Sequence, residues 1–198
     1  MPVVSVNLPE LRKKLLESKA FENGKYEAAK QIRPTFNAAR ALAISDFNNH
    51  PVTKEIDAGP GTANISQTLN GYDGDLFSFI GFTVGDNPTK IVKNMLLKIE
   101  MKYVGYSRGK WNFNIYALSM QDIADATPLP WEDGKSWVEG IHSGISGFGR
   151  YMASSRFEDF EDSRSKRGLQ VGNKIREGQF QRKKYVAEIL RNFWKLVK

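Results

Sequence analysis

Leu11, Leu15 and Leu16 line one side of residues 9–18, and Arg12, Lys13 and Lys14 the other, a spacing that predicts a short amphipathic helix. Asn23-Gly24 is expected to end it. Over residues 25–47, Ala28, Ile32, Ala39, Ala43 and Phe47 return at close to helical spacing and predict a second, longer helix. Pro34 falls inside this run and predicts a kink, or two helices meeting near Arg33. Six alanines between Ala28 and Ala43 leave room for another helix or subunit to approach closely. Asn48-Asn49-His50-Pro51 closes the segment.

Residues 58–74 read as a connector rich in Gly, Asn and Pro, with a helical turn expected at 65–69. The run Leu76-Phe77-Ser78-Phe79-Ile80-Gly81-Phe82-Thr83-Val84 is dense in β-formers and predicts a strand. Apolar Ile91, Val92, Met95 and Leu96 predict a helix over 89–97 that lies on a sheet. Strands are predicted over 99–106 and 111–119, joined by Ser107-Arg108-Gly109-Lys110, because Trp111, Phe113, Ile115 and Ala117 alternate with Asn112, Asn114 and Tyr116. The pattern is irregular from 128 to 149 and very polar from 154 to 168. It turns regular again at 184–197, where Tyr185, Ile189, Leu190, Phe193, Trp194 and Val197 form one broad apolar helical face. There is no internal repeat. The expected class is α+β: a small antiparallel sheet with a long N-terminal helix, a C-terminal amphipathic helix and extended arms. The chain divides into a body at 1–149 (helical 9–49, sheet-containing 76–119, Trp- and Gly-rich loop 128–149) and a basic arm and helix at 150–198, within a single domain overall.

Charge sharpens that division. Residues 150–198 hold 13 Lys+Arg against 6 Asp+Glu, whereas residues 1–149 hold 16 of each. From residue 163 onward the surplus reaches +9, beyond the acidic cluster Glu158, Asp159, Glu161 and Asp162. A neutral body with a basic end faces a negative partner, either nucleic acid or an acidic neighbour in an assembly. Twelve Phe, seven Tyr and four Trp favour buried surfaces and protein contacts. The absence of cysteine excludes disulfides, thiolate metal sites and thiol nucleophiles. The N-terminus has neither a basic region nor a long apolar run, and no stretch approaches the ~18 apolar residues of a membrane span, so a soluble chain made in the cytosol, without membrane association, is expected. Asn64-Ile65-Ser66 matches a glycosylation acceptor by chance.

Candidate chemistry is sparse. His50 and His142 lack metal-ligand spacing, and no Gly-x-Ser-x-Gly elbow supports a hydrolase, which would rest only on scattered Ser, His and Asp residues. Gly144, Gly147 and Gly149 lack the Lys-Ser/Thr of a nucleotide loop. The carboxylates Glu132-Asp133 and those of the 158–162 cluster lie in polar contexts that keep them solvated. Neither catalysis, a metal nor a cofactor is expected. Two constellations remain. Trp131 and Trp137, among prolines and glycines, anchor a loop to the core or offer aromatic contacts to a partner subunit; Phe148, Tyr151, Tyr185, Phe193 and Trp194 join them as candidate interface residues. The basic stretch Arg164, Lys166, Arg167, Lys174, Arg176, Arg182, Lys183 and Lys184 is interleaved with apolar residues. It fits an ordered arm that contacts a DNA channel or an acidic partner by charge alone, with no sequence readout.

Four stretches resemble neck and tail-completion proteins of tailed bacteriophages. They are Gly24-Lys25-Tyr26-Glu27-Ala28-Ala29-Lys30-Gln31-Ile32-Arg33-Pro34-Thr35-Phe36; His50-Pro51-Val52-Thr53-Lys54-Glu55-Ile56 with Asn64-Ile65-Ser66-Gln67-Thr68-Leu69; Trp137-Val138-Glu139-Gly140-Ile141 with Gly144 and Gly147; and Arg182-Lys183-Lys184-Tyr185-Val186-Ala187-Glu188-Ile189-Leu190. The resemblance lies in the order of elements over most of the chain and brings no functional residue with it. It implies a virion protein that forms a homo-oligomeric ring between head and tail, contacts other neck, connector or tail proteins, and touches DNA without specificity. The alternative expectation is a non-enzymatic nucleic-acid-binding module built on the basic C-terminal segment.

Overall fold

The computed structural model describes residues 8–69, 75–130, 132–143, 151–154, 168–171 and 180–198. Helix α1 (Leu8–Leu16) has Glu10 in its first turn and Lys13 and Lys14 in its last, which suits the helix dipole. The Ser18 hydroxyl donates to the Leu15 carbonyl at 2.7 Å and accepts the Phe21 amide at 3.1 Å, closing α1 and opening α2 (Lys19–Asn49). The break therefore falls at Ser18, not at Asn23-Gly24, which α2 runs straight through. Nor does Pro34 divide the helix. Residues 30–35 are all exposed, so the carbonyl that proline leaves without an amide partner can turn to solvent.

His50 serves two helices. Its amide donates to the Phe47 carbonyl at the end of α2, and its Nδ1 accepts the Val52 amide at 3.2 Å to start α3 (Pro51–Ala58), with Pro51 in the first turn. The expected strand over 76–84 is instead helix α4 (Leu76–Ile80). Asp75 caps it by accepting the Ser78 amide at 2.7 Å, and Gly81 ends it at φ 91°. Leu76, Phe77 and Ile80 are then buried on one helical face, overriding their β propensity. The turn expected at 65–69 is not helical. Helix α5 (Pro88–Leu97) matches its predicted span within a residue.

Strands β1 (Glu100–Ser107) and β2 (Lys110–Tyr116) form the expected antiparallel hairpin, with Arg108 and Gly109 both left-handed at the two-residue turn. The stretch after it is more regular than its sequence implies. Helix α6 (Met120–Ala126) starts at a capping box between Ser119 and Asp122, and helix α7 (Trp137–Ser143) follows the short pair β3 (Pro128–Leu129) and β4 (Glu132–Ser136). Strands β5 (Tyr151–Ser154) and β6 (Gly168–Val171) pair antiparallel, and α8 (Tyr185–Leu196) is the last element. The class is α+β, with three two-stranded ribbons among the described residues rather than one sheet.

One core joins these helices. Phe36, Ala43 and Phe47 of α2 meet Val52 and Ile56 of α3, Val92 and Leu96 of α5, and Ile189 and Phe193 of α8. The terminal helix therefore belongs to the body: Phe193 packs edge-on to Phe36 at 6.3 Å, and Tyr185 stacks on Phe47 at 5.7 Å. At the other end of α2, Phe21 lies 4.3 Å from Trp111 and 5.3 Å from Tyr106, holding the hairpin against the helix.

Candidate assembly surface

The buried polar groups are spent on the fold. Glu55, fully buried on α3, accepts the Ser66 amide at 2.6 Å and the Leu76 amide at 2.9 Å, holding the middle of the connector and the first residue of α4. Tyr185 shares a hydrogen bond of 2.5 Å with Thr53. Burial pushes its phenol well above the usual tyrosine range, against the opposing effect of that hydrogen bond. The half-buried His50 ring packs 4.7 Å from Tyr185. Burial holds its imidazole below the ordinary value, while Glu188 acts upward and Lys183 downward. Among the described residues no three His, Asp or Glu side chains gather as a metal site, and no helix is long and apolar enough to cross a membrane.

Trp137 is a core residue, 1 % exposed, fixed by the bond from its amide to the Thr127 carbonyl and packed edge-on to Phe82 at 5.8 Å. Tyr185 and Phe193 are equally enclosed. These three therefore present no surface to a partner; helical spacing turns Tyr185 and Phe193 toward α2 and α3. Trp194, next to Phe193 on α8, is 37 % exposed and stays available. Trp131 and Phe148 lie outside the described residues, and so does the side chain of Tyr151.

Of the basic candidates, Arg182, Lys183 and Lys184 are described. They form a strap in which the Lys183 amide donates to the Ile141 carbonyl at 3.1 Å and the Gln181 amide to the Thr68 carbonyl at 2.7 Å. Arg182 and Lys184 point into solvent, and none of the three pairs with a described acidic side chain. They sit where α8 begins without a side-chain cap, so positive charge gathers at the positive end of a helix. Arg164, Lys166, Arg167, Lys174 and Arg176 lie outside the described residues.

Among the described residues, neighbouring apolar side chains are exposed on α1. Leu11 and Leu15 of α1 are 57 % and 56 % exposed, and Leu16 is 38 % exposed, so the leucine face predicted for this helix is left uncovered by the described residues. At the opposite end, the start of α5 and the β3 segment enclose a groove of about 360 Å³ lined by Phe82, Ile91, Pro128, Leu129, Pro130 and Trp137. Beside it, sharing Asp86, Asn87 and Pro88, lies a more polar cavity of about 400 Å³ that reaches Phe47 and Asn48 at the end of α2. Inside that cavity Thr89 donates a hydrogen bond to Asp57. The apolar groove leaves no trace in the sequence pattern: its lining residues are local turn and helix-start positions that only folding brings together.

Comparison with protein-family models, with curated proteins and with solved structures gives no match for this chain.

Proposed function

We infer that this chain is a non-catalytic assembly subunit: a structural virion protein of a tailed bacteriophage that forms a ring in the neck, or at the head-proximal end of the tail, and joins head to tail around the DNA channel. The observation that carries the assembly reading is the leucine face of α1, held out at the tip of α2 with no apolar partner among the described residues. Exposing such a face costs solubility, and a partner subunit is the cover this reading assigns to it. The virion setting rests on the sequence resemblance, and a ring follows from head-to-tail repetition of one interface that closes. Inward-turned polar groups such as Glu55, Thr53 and Tyr185 fit a subunit whose work is shape and contact. Gold-labelled antibodies against the chain should mark the head–tail junction of phage particles purified from the host lysate. Particles free of the chain would contradict the reading.

A second reading is favoured by the strap of Arg182, Lys183 and Lys184: non-specific binding of nucleic acid. It predicts DNA affinity that falls steeply with salt. Replacing the three residues by Ser should reduce the log–log slope by about one for each phosphate they had neutralised. A titration at low salt showing no binding would eliminate it.

A further inference from the structure

We propose that the α1 helix of one copy docks, leucines first, into the apolar groove between α5 and β3 of a second copy. This deepens the assembly reading above and rests on it. The two surfaces cannot meet within one chain. Helix α2 has 31 residues, which at a rise of ~1.5 Å per residue span about 46 Å. The groove lies at its Phe47 end, whereas α1 is tied to its Lys19 end by Glu17 and Ser18 alone. At nine residues α1 is about 14 Å long, so even folded back along α2 it stops less than halfway to the groove.

Charge selects the occupant. Helix α1 carries Arg12, Lys13 and Lys14 against Glu10 alone. Residues 119–143, which supply β3 and the far wall of the groove, carry Asp122, Asp125, Glu132, Asp133 and Glu139 against the single Lys135. Asp86 adds a carboxylate at the groove itself, and Lys90 and Lys93 of α5, which line the adjoining cavity, reduce but do not reverse the acidic balance. A basic helix with a leucine face thus meets an apolar slot in an acidic setting, the arrangement by which amphipathic helices bind grooves. Ile91, 44 % exposed on α5, is the apolar contact that a partner meets at the lip, while the buried Phe82 and Trp137 back the groove from the core side without offering surface of their own. Because the two surfaces differ and sit at opposite ends, the contact is heterologous and repeats head to tail, the geometry that builds rings when it closes.

The chain has no cysteine, so introduced thiols are unique reporters. Leu15→Cys and Ile91→Cys, both at exposed positions that leave the core intact, are purified as full chains, mixed, and treated with a short bis-maleimide. The expected product is a cross-linked dimer holding one copy of each variant. The double variant Leu11→Asp/Leu15→Asp should weaken self-association by about tenfold or more, and adding Leu11→Asp to the Leu15→Cys chain should suppress the mixed dimer. A predominant Leu15→Cys homodimer would overturn the proposal, because α1 would then pair with itself. Binding to anionic vesicles that the Asp variant loses, without the mixed dimer, would overturn it in favour of a lipid surface. Oligomers lacking the mixed cross-link overturn the docking but leave the assembly reading standing. A chain that neither self-associates nor occurs in particles overturns both.

Discussion

At Glu55 a carboxylate shielded from water holds two amides 10 residues apart in sequence, those of Ser66 and Leu76. Glu55→Ala leaves both donors buried and unsatisfied, at about 1–3 kcal/mol each. Urea denaturation should show a lower midpoint with an unchanged slope. Glu55→Gln keeps one acceptor and turns an NH₂ toward the other amide, so its loss should be smaller than that of Glu55→Ala. His50 gives the pH dependence. Its folded pKa lies below the ordinary value near 6.5 because burial disfavours the imidazolium, so the unfolded chain takes up the proton first. Stability is full above pH ~6.5 and declines as the pH falls below it, with Glu188 moderating the effect and Lys183 reinforcing it. The thermal midpoint should drop across this window, and His50→Asn, which keeps a capping acceptor for Val52, should remove that part of the drop. Neither role was legible in the sequence: a glutamate in a polar-looking helix and a lone histidine before proline gain their meaning from what folds over them.

Elements were legible where their signals are local. The hairpin of β1 and β2 announces itself by alternation and a two-residue turn, and α8 by its apolar face. Where β-formers compete with caps, composition misleads: Phe77, Phe79, Ile80 and Val84 read as strand, yet Asp75 and Gly81 bracket a helical turn whose buried face is Leu76, Phe77 and Ile80. Gly24 misleads in the other direction. It reads as a helix breaker, but it is the point where α2 must admit the hairpin, since a Cβ there would lie 2.7 Å from Cζ2 of Trp111. Gly24→Ala therefore gains helix propensity and loses the fit. The displaced indole should cost about 1–3 kcal/mol by overpacking, exceeding the ~1 kcal/mol propensity gain at the upper end of that range. Thermal unfolding of Gly24→Ala, Trp111→Leu and the double variant checks this, because the alanine should cost less on the Trp111→Leu background, where the clash is gone.

At the scale of the molecule, a long helix separates two unlike ends: a basic leucine-faced helix at one and an apolar groove in an acidic segment at the other. The leucine pattern was readable from the sequence, but that it would go uncovered was not, because exposure depends on where the rest of the chain packs. The groove left no sequence signal, since Phe82, Ile91, Leu129 and Trp137 belong to separate stretches. The mass of the purified full chain in solution, at physiological and at about 1 M salt, tests the assembly account most directly. Apolar contacts outlast screening that shortens the Debye length to ~3 Å, so a discrete oligomer should persist at both salts, and Leu11→Asp/Leu15→Asp should leave a folded monomer. Wild-type chain that stays monomeric at both salts and at high concentration, with the same mass as the Asp variant, would contradict it.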